Sequence, residues 1–90
     1  MEDKLREIII QKINDALSNA DEIQNIINSL GELSHETNDF SYGIVIGRLY
    51  NSFYYQCRRI LKRGPTEKEF LEFLEILKQK ESEIKEKINF

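Results

Sequence analysis

Apolar residues that recur every three or four positions constrain this 90-residue chain more than any other feature of its sequence. The first such run consists of Ile9, Ile13, Ala16, Ala20, Ile23, Ile27 and Leu30. Because an α-helix turns once in about 3.6 residues, this spacing collects the run on one helical face. The pattern predicts a first helix over about residues 3–30, which Asp3 would cap and Gly31 would end.

That first helix is long for so small a protein, since it would measure about 40 Å at 1.5 Å per residue. Ser18 and Asn19 lie near its middle, and short polar side chains of this kind can compete for backbone hydrogen bonds. We therefore expect either a break near Ser18-Asn19, which would give four helices, or an overhang that packs on a second copy.

Two later segments repeat the helical spacing and predict helices over about residues 40–63 and 67–88. Asn38 or Asp39 would cap the second helix. Its expected inward residues are Tyr42, Ile46, Leu49, Phe53, Cys57, Ile60 and Leu61. The expected inward residues of the third helix are Phe70, Phe73, Leu74, Leu77, Ile84 and Ile88.

The boundary between these helices is marked by Gly64-Pro65, which cannot continue a helix. Thr66 and Glu69 follow with the spacing of a capping box, in which each side chain accepts a hydrogen bond from the other residue's backbone amide. Three amphipathic helices with two short connections predict an all-α, up-down-up three-helix bundle. At 90 residues, the chain has room for a single domain.

Gly43 and Gly47 lie four residues apart inside the second predicted helix. A glycine in a helix interior costs about 1 kcal/mol relative to alanine. We therefore expect another helix to approach the backbone closely at this pair.

Composition limits the environment of the protein more than its activity. Charged residues make up 32% of the chain, hydrophobic residues 40%, and the net charge is −3. Cys57 is the only cysteine, which excludes an internal disulfide and favours a reducing compartment. The charged N-terminal segment and the lack of a long apolar run predict no signal peptide and no membrane span, so we expect a cytoplasmic protein.

Acidic and basic residues are segregated along the chain. Six acids and no lysine or arginine occur between Ile13 and Gly47, whereas five bases and no acid occur between Phe40 and Thr66. Helix-end electrostatics and ordinary solvated faces explain such runs in many proteins.

The acidic connection between the first two helices is a candidate cation site. Oxygen donors are concentrated there in Glu32, Glu36, Asn38, Asp39 and Ser41. Calcium accepts six to eight oxygen ligands in a flexible geometry, whereas magnesium requires a tighter octahedron. The spacing is not that of an EF-hand. Calcium is therefore the predicted ion if this loop binds one.

A stripe on the second helix provides the alternative hypothesis. Arg48, Tyr55, Arg59 and Lys62 would project from one side of it. Cations beside an aromatic ring can contact phosphate and stack on a base. The pI near 5.2 is unfavourable for tight nucleic-acid binding, so an acidic protein surface fits this stripe as well.

The sequence contains no recognisable catalytic constellation. Cys57 and His35 are the available nucleophile and base, and we expect them to lie apart because Cys57 should face the core and His35 the loop. We therefore predict a protein that is not an enzyme.

The segment Asp39–Gln56 (DFSYGIVIGRLYNSFYYQ), followed by Arg58-Arg59 and by Thr66–Phe70 (TEKEF), resembles a family of small uncharacterised archaeal helical proteins of the Sulfolobus type. The similarity extends over most of the chain. The resemblance implies a helical bundle in the cytoplasm of a thermophile, leaves divalent-cation binding open, and implies no enzyme activity. It provides no ligand or catalytic position.

These observations predict a non-enzymatic binding or interaction module. Its first candidate ligand is calcium in the acidic connection, and its alternative partner is a protein or nucleic acid on the basic and aromatic stripe. A homodimer is a further candidate assembly.

Overall fold

A computed structural model of the protein describes residues 1–30 and 37–88. They form α1 (Asp3–Ser18), α2 (Ala20–Leu30), α3 (Thr37–Leu61), α4 (Glu67–Gln79) and α5 (Glu81–Ile88). No strand occurs in these two ranges, so the prediction of an all-α protein is confirmed. The prediction of three continuous helices is wrong, because breaks at Asn19 and Lys80 divide the first and the third.

The break at Asn19 arises from side chains that replace helical hydrogen bonds. The Asn19 backbone N–H donates to the carbonyl of Ala16 at 3.2 Å, and its Nδ2 donates to the carbonyl of Asp15 at 2.9 Å. The hydroxyl of Ser18 donates to the carbonyl of Asn14 at 3.0 Å. These bonds satisfy backbone carbonyls at the end of α1. The expected break near Ser18-Asn19 is therefore confirmed.

The break at Lys80 was not anticipated, because no glycine or proline marks it. The Lys80 N–H is shared between the carbonyls of Ile76 and Leu77, at 3.1 Å each, which tightens the last turn of α4. The six residues between Leu77 and Ile84 contain no large apolar side chain. Because no apolar side chain packs this stretch against the core, the chain can change direction here, and α5 then buries Ile84.

The start of α1 differs slightly from the prediction. Glu2 caps the helix in place of Asp3, because its carboxylate accepts hydrogen bonds from the backbone N–H groups of Lys4 and Leu5 at 2.9 and 3.0 Å. Gly31, which was predicted to end the first helix, lies outside the described residues.

The start of α4 follows the sequence prediction. Thr66 Oγ1 accepts from the Glu69 N–H at 3.2 Å, and Glu69 Oε1 accepts from the Thr66 N–H at 2.8 Å. The two side chains satisfy two backbone donors that a helix start leaves unpaired. The predicted capping box is confirmed.

Helix α3 begins earlier and ends earlier than predicted. It extends from Thr37 to Leu61, and Lys62 follows with a left-handed φ of 61°. The Lys62 N–H donates to the carbonyl of Arg58 at 3.1 Å, which is the bond expected of a left-handed helix cap. Gly64 does not have a positive φ, so the turn uses lysine where glycine would be less strained.

All five helices contribute to one apolar core. Its fully buried large side chains include Ile23 and Phe53, each 1% exposed, as the helical spacing requires. The rings of Phe53 and Phe73 stack with their centroids 4.3 Å apart and an interplanar angle of 2°. The buried apolar residues are Leu5, Ile9, Ile13, Leu17, Ile23, Ile27, Val45, Leu49, Phe53, Cys57, Phe73, Ile76, Leu77, Ile84 and Ile88.

Three residues of the predicted apolar faces are exposed instead. Leu30 is 47% exposed, Ile46 39% and Leu74 42%, whereas Val45 and Ile76, near the last two, are buried. Helix α3 buries a row at steps of four residues that includes Val45 and Leu49, so Ile46 lies at its edge. These exposed residues therefore add apolar side chains to the protein surface.

Helix α5 contacts each of the other four helices. The described part of the molecule measures 39 × 22 × 20 Å. Within the two described ranges, every helix is too short or too polar to span a lipid bilayer.

Candidate interaction surface

The structure describes the side chains of two of the five predicted calcium ligands, Asp39 and Ser41. Glu32 and Glu36 lie outside the described residues, as does the side chain of Asn38. Asp39 is exposed in the first turn of α3. In residues 1–30 and 37–88, no three acidic, histidine or cysteine side chains are grouped so that they could hold a metal ion. The calcium site stays a prediction about the connection before α3.

Ser41 requires a correction within that set. It was predicted to lie with the acidic connection, but it is fully buried in α3. Because α3 already begins at Thr37, Ser41 lies four residues before Val45 on the buried row of the helix. Its hydroxyl therefore faces the protein interior.

The predicted basic and aromatic stripe lies on one side of α3 and just beyond its end. Arg48, Tyr55 and Arg59 are exposed at spacings of seven and four residues, which keeps them on one helical side. Tyr55 is 61% exposed. Lys62 is exposed but follows the last residue of α3 in a left-handed conformation.

Two of the stripe's cations have partners within the molecule. Arg48 Nη2 lies 3.3 Å from Glu22 Oε1 on α2, and Arg59 Nε donates to Gln56 Oε1 at 2.9 Å. An exposed ion pair such as the first contributes about 0.2–1 kcal/mol, so a partner could displace it. Because Gln56 is neutral, the described contacts balance the charge of Arg48 but not that of Arg59.

The pair Gly43 and Gly47 does not mark a close helix contact. A Cβ atom placed on either glycine would meet no atom of another element within 4 Å. The expectation of close backbone approach is therefore wrong for the described residues. Both positions are exposed to solvent on α3.

A charged corner joins the end of α3 to the start of α4. The Arg63 guanidinium donates to both oxygens of Glu69, at 2.8 and 3.2 Å. This pair, together with the Thr66 amide, lowers the pKa of the Glu69 carboxyl to about 2. Burial, and then the negative charge of Glu69, raises the pKa of the Cys57 thiol. Cys57 is fully buried, so this arrangement stabilises the corner and does not present a nucleophile.

The α3–α4 surface, which we define as Ile46, Tyr50, Leu71 and Leu74, exposes the largest group of apolar side chains. Tyr50 is 44% exposed and Leu71 is 56% exposed. Four of the six exposed large hydrophobic side chains in the described residues belong to this surface. Exposed apolar groups that occur together are typical of interaction sites, whereas isolated ones are common on any protein.

Aromatic contacts fix the position of Tyr50 on this surface. Its ring meets Phe70 edge to face, with centroids 5.9 Å apart and an interplanar angle of 86°. The centroid of the Tyr54 ring, on the same helix, lies 6.0 Å from that of Tyr50. The Arg58 guanidinium lies 5.4 Å from the Tyr54 centroid. The contacts hold these side chains in place and so lower the entropy that a partner must overcome.

Two shallow cavities continue the α3–α4 surface in opposite directions. One, of about 210 Å³, is lined by Tyr42, Ile46, Leu77, Glu81, Ile84 and Lys85. The other, of about 240 Å³, is lined by Tyr50, Tyr54, Pro65, Thr66, Glu67 and Phe70. These cavities form an open groove along α3 and α4 that Ile46 and Tyr50 line, whereas Leu71 and Leu74 lie outside the lining of both.

The outer ridge of this groove is a single row on α4. Glu67, Leu71, Leu74 and Lys78 follow one another at steps of four, three and four residues and are all exposed. Glu67 lies in the first turn of the helix and Lys78 in the last, and each suits the helix dipole there. The row has an apolar centre and oppositely charged ends.

The helical spacing alone did not identify this surface. Ile46 and Leu74 were predicted to face the core, and no position was predicted for Leu71. A signal was present, since α4 carries six large apolar residues at positions 70, 71, 73, 74, 76 and 77, too many for one buried face.

Comparisons of the chain with known protein families, with curated proteins and with solved structures find no match.

Proposed function

We propose that this protein is a non-enzymatic interaction module that docks an amphipathic helix on its α3–α4 surface. The observation that supports this function is the set of four exposed apolar side chains on α3 and α4, of which Ile46 and Tyr50 line an open groove between the helices. The module would be a bundle whose segments α1–α2, α3 and α4–α5 run up, down and up. The ion pair between Glu22 and Arg48 and the stacked rings of Phe53 and Phe73 are consistent with that path.

A helix is the partner whose shape fits the groove best. An amphipathic helix presents anchors at spacings of three and four residues, and the exposed apolar residues follow the same spacings, with Ile46 and Tyr50 four apart on α3 and Leu71 and Leu74 three apart on α4. Tyrosine supplies a large apolar area with few rotatable bonds, so it loses little entropy when a partner binds. Exposed leucines gain about 25 cal/mol for each Å² that the partner removes from water.

Charges at the rim select for a partner of mixed charge. Glu67 lies at one end of the exposed α4 row, and Lys78 lies at the other. A helix with only acidic or only basic flanks would meet repulsion at one of these ends.

The test is a titration of the ¹⁵N-labelled protein with a helical model peptide that carries leucines at spacings of three and four among lysines and glutamates. We expect the amide shifts to change around Ile46, Tyr50 and Leu74. The matched variants are Leu71→Ser with Leu74→Ser, which should abolish the change, and Tyr55→Ser, which removes an exposed ring elsewhere on α3 and should preserve it. Shifts that are absent, or that survive the leucine substitutions, would contradict the proposal.

The alternative partner surface is the stripe of Arg48, Tyr55, Arg59 and Lys62. Its support is the exposure of Tyr55 beside two arginines on one side of α3. A salt-dependent shift change at Arg48 and Arg59 on addition of an oligonucleotide would favour this surface for nucleic acid, and addition of an acidic peptide would test it for protein. We favour the α3–α4 surface because Arg48 and Arg59 already have partners within the molecule.

A further inference from the structure

We propose that the helix docked on the α3–α4 surface is α4 of a second copy of this chain, in antiparallel orientation about a two-fold axis. This inference rests on the proposed function and identifies its partner. In a two-fold interface the same patch faces itself, so its charged and apolar groups must be self-complementary. The outer row of α4 meets that condition.

The spacing of the row sets a register for the two helices. Leu71 and Leu74 lie at equal distances on either side of the midpoint between Glu72 and Phe73, and so do Glu67 and Lys78. Antiparallel pairing about that midpoint places each Leu71 opposite the second copy's Leu74. The same pairing places each Glu67 opposite the second copy's Lys78. One axis therefore aligns two leucine contacts and two ion pairs.

The charges at the ends of the row are free to make these intermolecular pairs. Neither Glu67 nor Lys78 forms an ion pair with any residue that the structure describes. Other charged residues of the same helix do so, since Glu69 binds Arg63 and Glu72 binds the amino group of Met1. A parallel arrangement would bring like charges together at both ends, which disfavours it.

Apolar side chains beside the row enlarge the contact. Ile46 and Tyr50 are exposed on the neighbouring helix α3, and the exposed Gly47 adds no side chain that would block an approaching helix. In this way, each copy covers the apolar group that the other exposes.

The first experiment measures association of the full chain by sedimentation across low micromolar to millimolar concentrations. We expect a monomer–dimer equilibrium that Leu71→Asp with Leu74→Asp removes and Tyr55→Ser leaves unchanged. Both leucines are exposed in the single chain, so circular dichroism should show that the helices persist.

The second experiment reverses charges and leaves the leucines intact. Glu67→Lys and Lys78→Glu should each raise the dimer dissociation constant about tenfold, because each creates two like-charge contacts. An equimolar mixture of the two variants should form a heterodimer, since each contact then joins a lysine to a glutamate. A role of these charges in the helix dipole alone predicts no recovery in the mixture.

Three results would overturn the inference: a monomer at every concentration, a dimer that persists without the two leucines, or a mixture that associates no better than each variant alone. If the amphipathic model peptide still binds the α3–α4 surface in that case, the docking function stands and its partner is a different helix. If the peptide does not bind either, the docking function fails as well.

Discussion

Arg63 and Glu69 form a two-point ion pair that closes the turn between α3 and α4. Nη1 and Nη2 of the guanidinium donate to the two carboxylate oxygens at 2.8 and 3.2 Å. The same carboxylate accepts from the Thr66 amide, so a single side chain both caps α4 and ties it to the end of α3. Paired geometry of this kind is stronger than a single surface contact.

The low pKa of Glu69 predicts a stability that depends on pH. Its carboxyl has a pKa of about 2 in the folded protein, against an ordinary value of 4.5. A lowered pKa stabilises the fold fully above the ordinary value, and this contribution is lost as the pH falls toward 2. We expect Glu69 to contribute a loss on the order of 1 kcal/mol in the free energy of unfolding, since solvent screens its half-exposed partner Arg63, and urea denaturation between pH 7 and pH 2 measures it.

Glu69→Gln is the matched control, because glutamine can still cap the helix but carries no charge. The difference in stability between the two proteins should be large at pH 7 and should shrink toward zero near pH 2. Glu72, whose pKa is also lowered by its hydrogen bond to the amino group of Met1, titrates in both proteins and cancels in the difference. A difference that does not change with pH would contradict the prediction.

Lys62 is strained by its left-handed conformation, and glycine should relieve it. Lys62→Gly should raise the free energy of unfolding by about 1 kcal/mol, because glycine adopts a φ of 61° without a clash at Cβ. Lys62→Ala removes the charge and keeps the strain, so it should leave stability nearly unchanged. Thermal unfolding of the three proteins measures this. Destabilisation by glycine would show that the lysine side chain itself holds the turn.

Gly43 and Gly47 should both tolerate alanine. Neither added Cβ meets another element within 4 Å, and alanine in a helix interior is more stable than glycine by about 0.5–1 kcal/mol. We expect each substitution to raise the midpoint of urea unfolding. Gly64→Ala is the comparison, because Gly64 lies outside a helix and its Cβ would lie 3.5 Å from the Tyr54 ring, so a similar gain is not expected there. Loss of stability at positions 43 and 47 would refute this.

The calcium hypothesis predicts a local response in the acidic connection. Addition of calcium to the ¹⁵N-labelled protein should shift amides between Glu32 and Ser41 and leave α4 unchanged. Asp39→Asn, which removes one carboxylate and preserves its size, should weaken the effect. Magnesium at equal concentration serves as the control for unspecific charge effects. If no amide between residues 32 and 41 shifts on addition of calcium, the calcium hypothesis is wrong.

Local rules predicted the helix boundaries well where a specific hydrogen bond defines them. The Thr66 capping box and the break at Asn19 each follow from side chains that lie within four residues of the backbone groups they satisfy. The break at Lys80 was not predictable in this way, because no local side chain forms a hydrogen bond that defines it. The break depends on how α5 packs against the other helices.

The candidate surface was harder to predict, because helical period does not tell which of two apolar faces is buried. Ile46 and Leu74 fit an inward stripe as well as Val45 and Ile76 do. Their exposure depends on how α3 and α4 rotate against the other helices, and this is decided by the core as a whole. A sequence with apolar residues on more than one helical face should therefore be examined for surface contacts.

The position of α5 affects how the whole fold opens. Because this short helix contacts α1, α2, α3 and α4, its detachment would remove packing from every other helix at once. Fluctuations that release α5 therefore uncover Ile84 and Ile88 together with the core side chains that these two residues cover on the other helices. Amide hydrogens in α5 should exchange with solvent sooner than those between α1 and α3, which pack against each other most extensively.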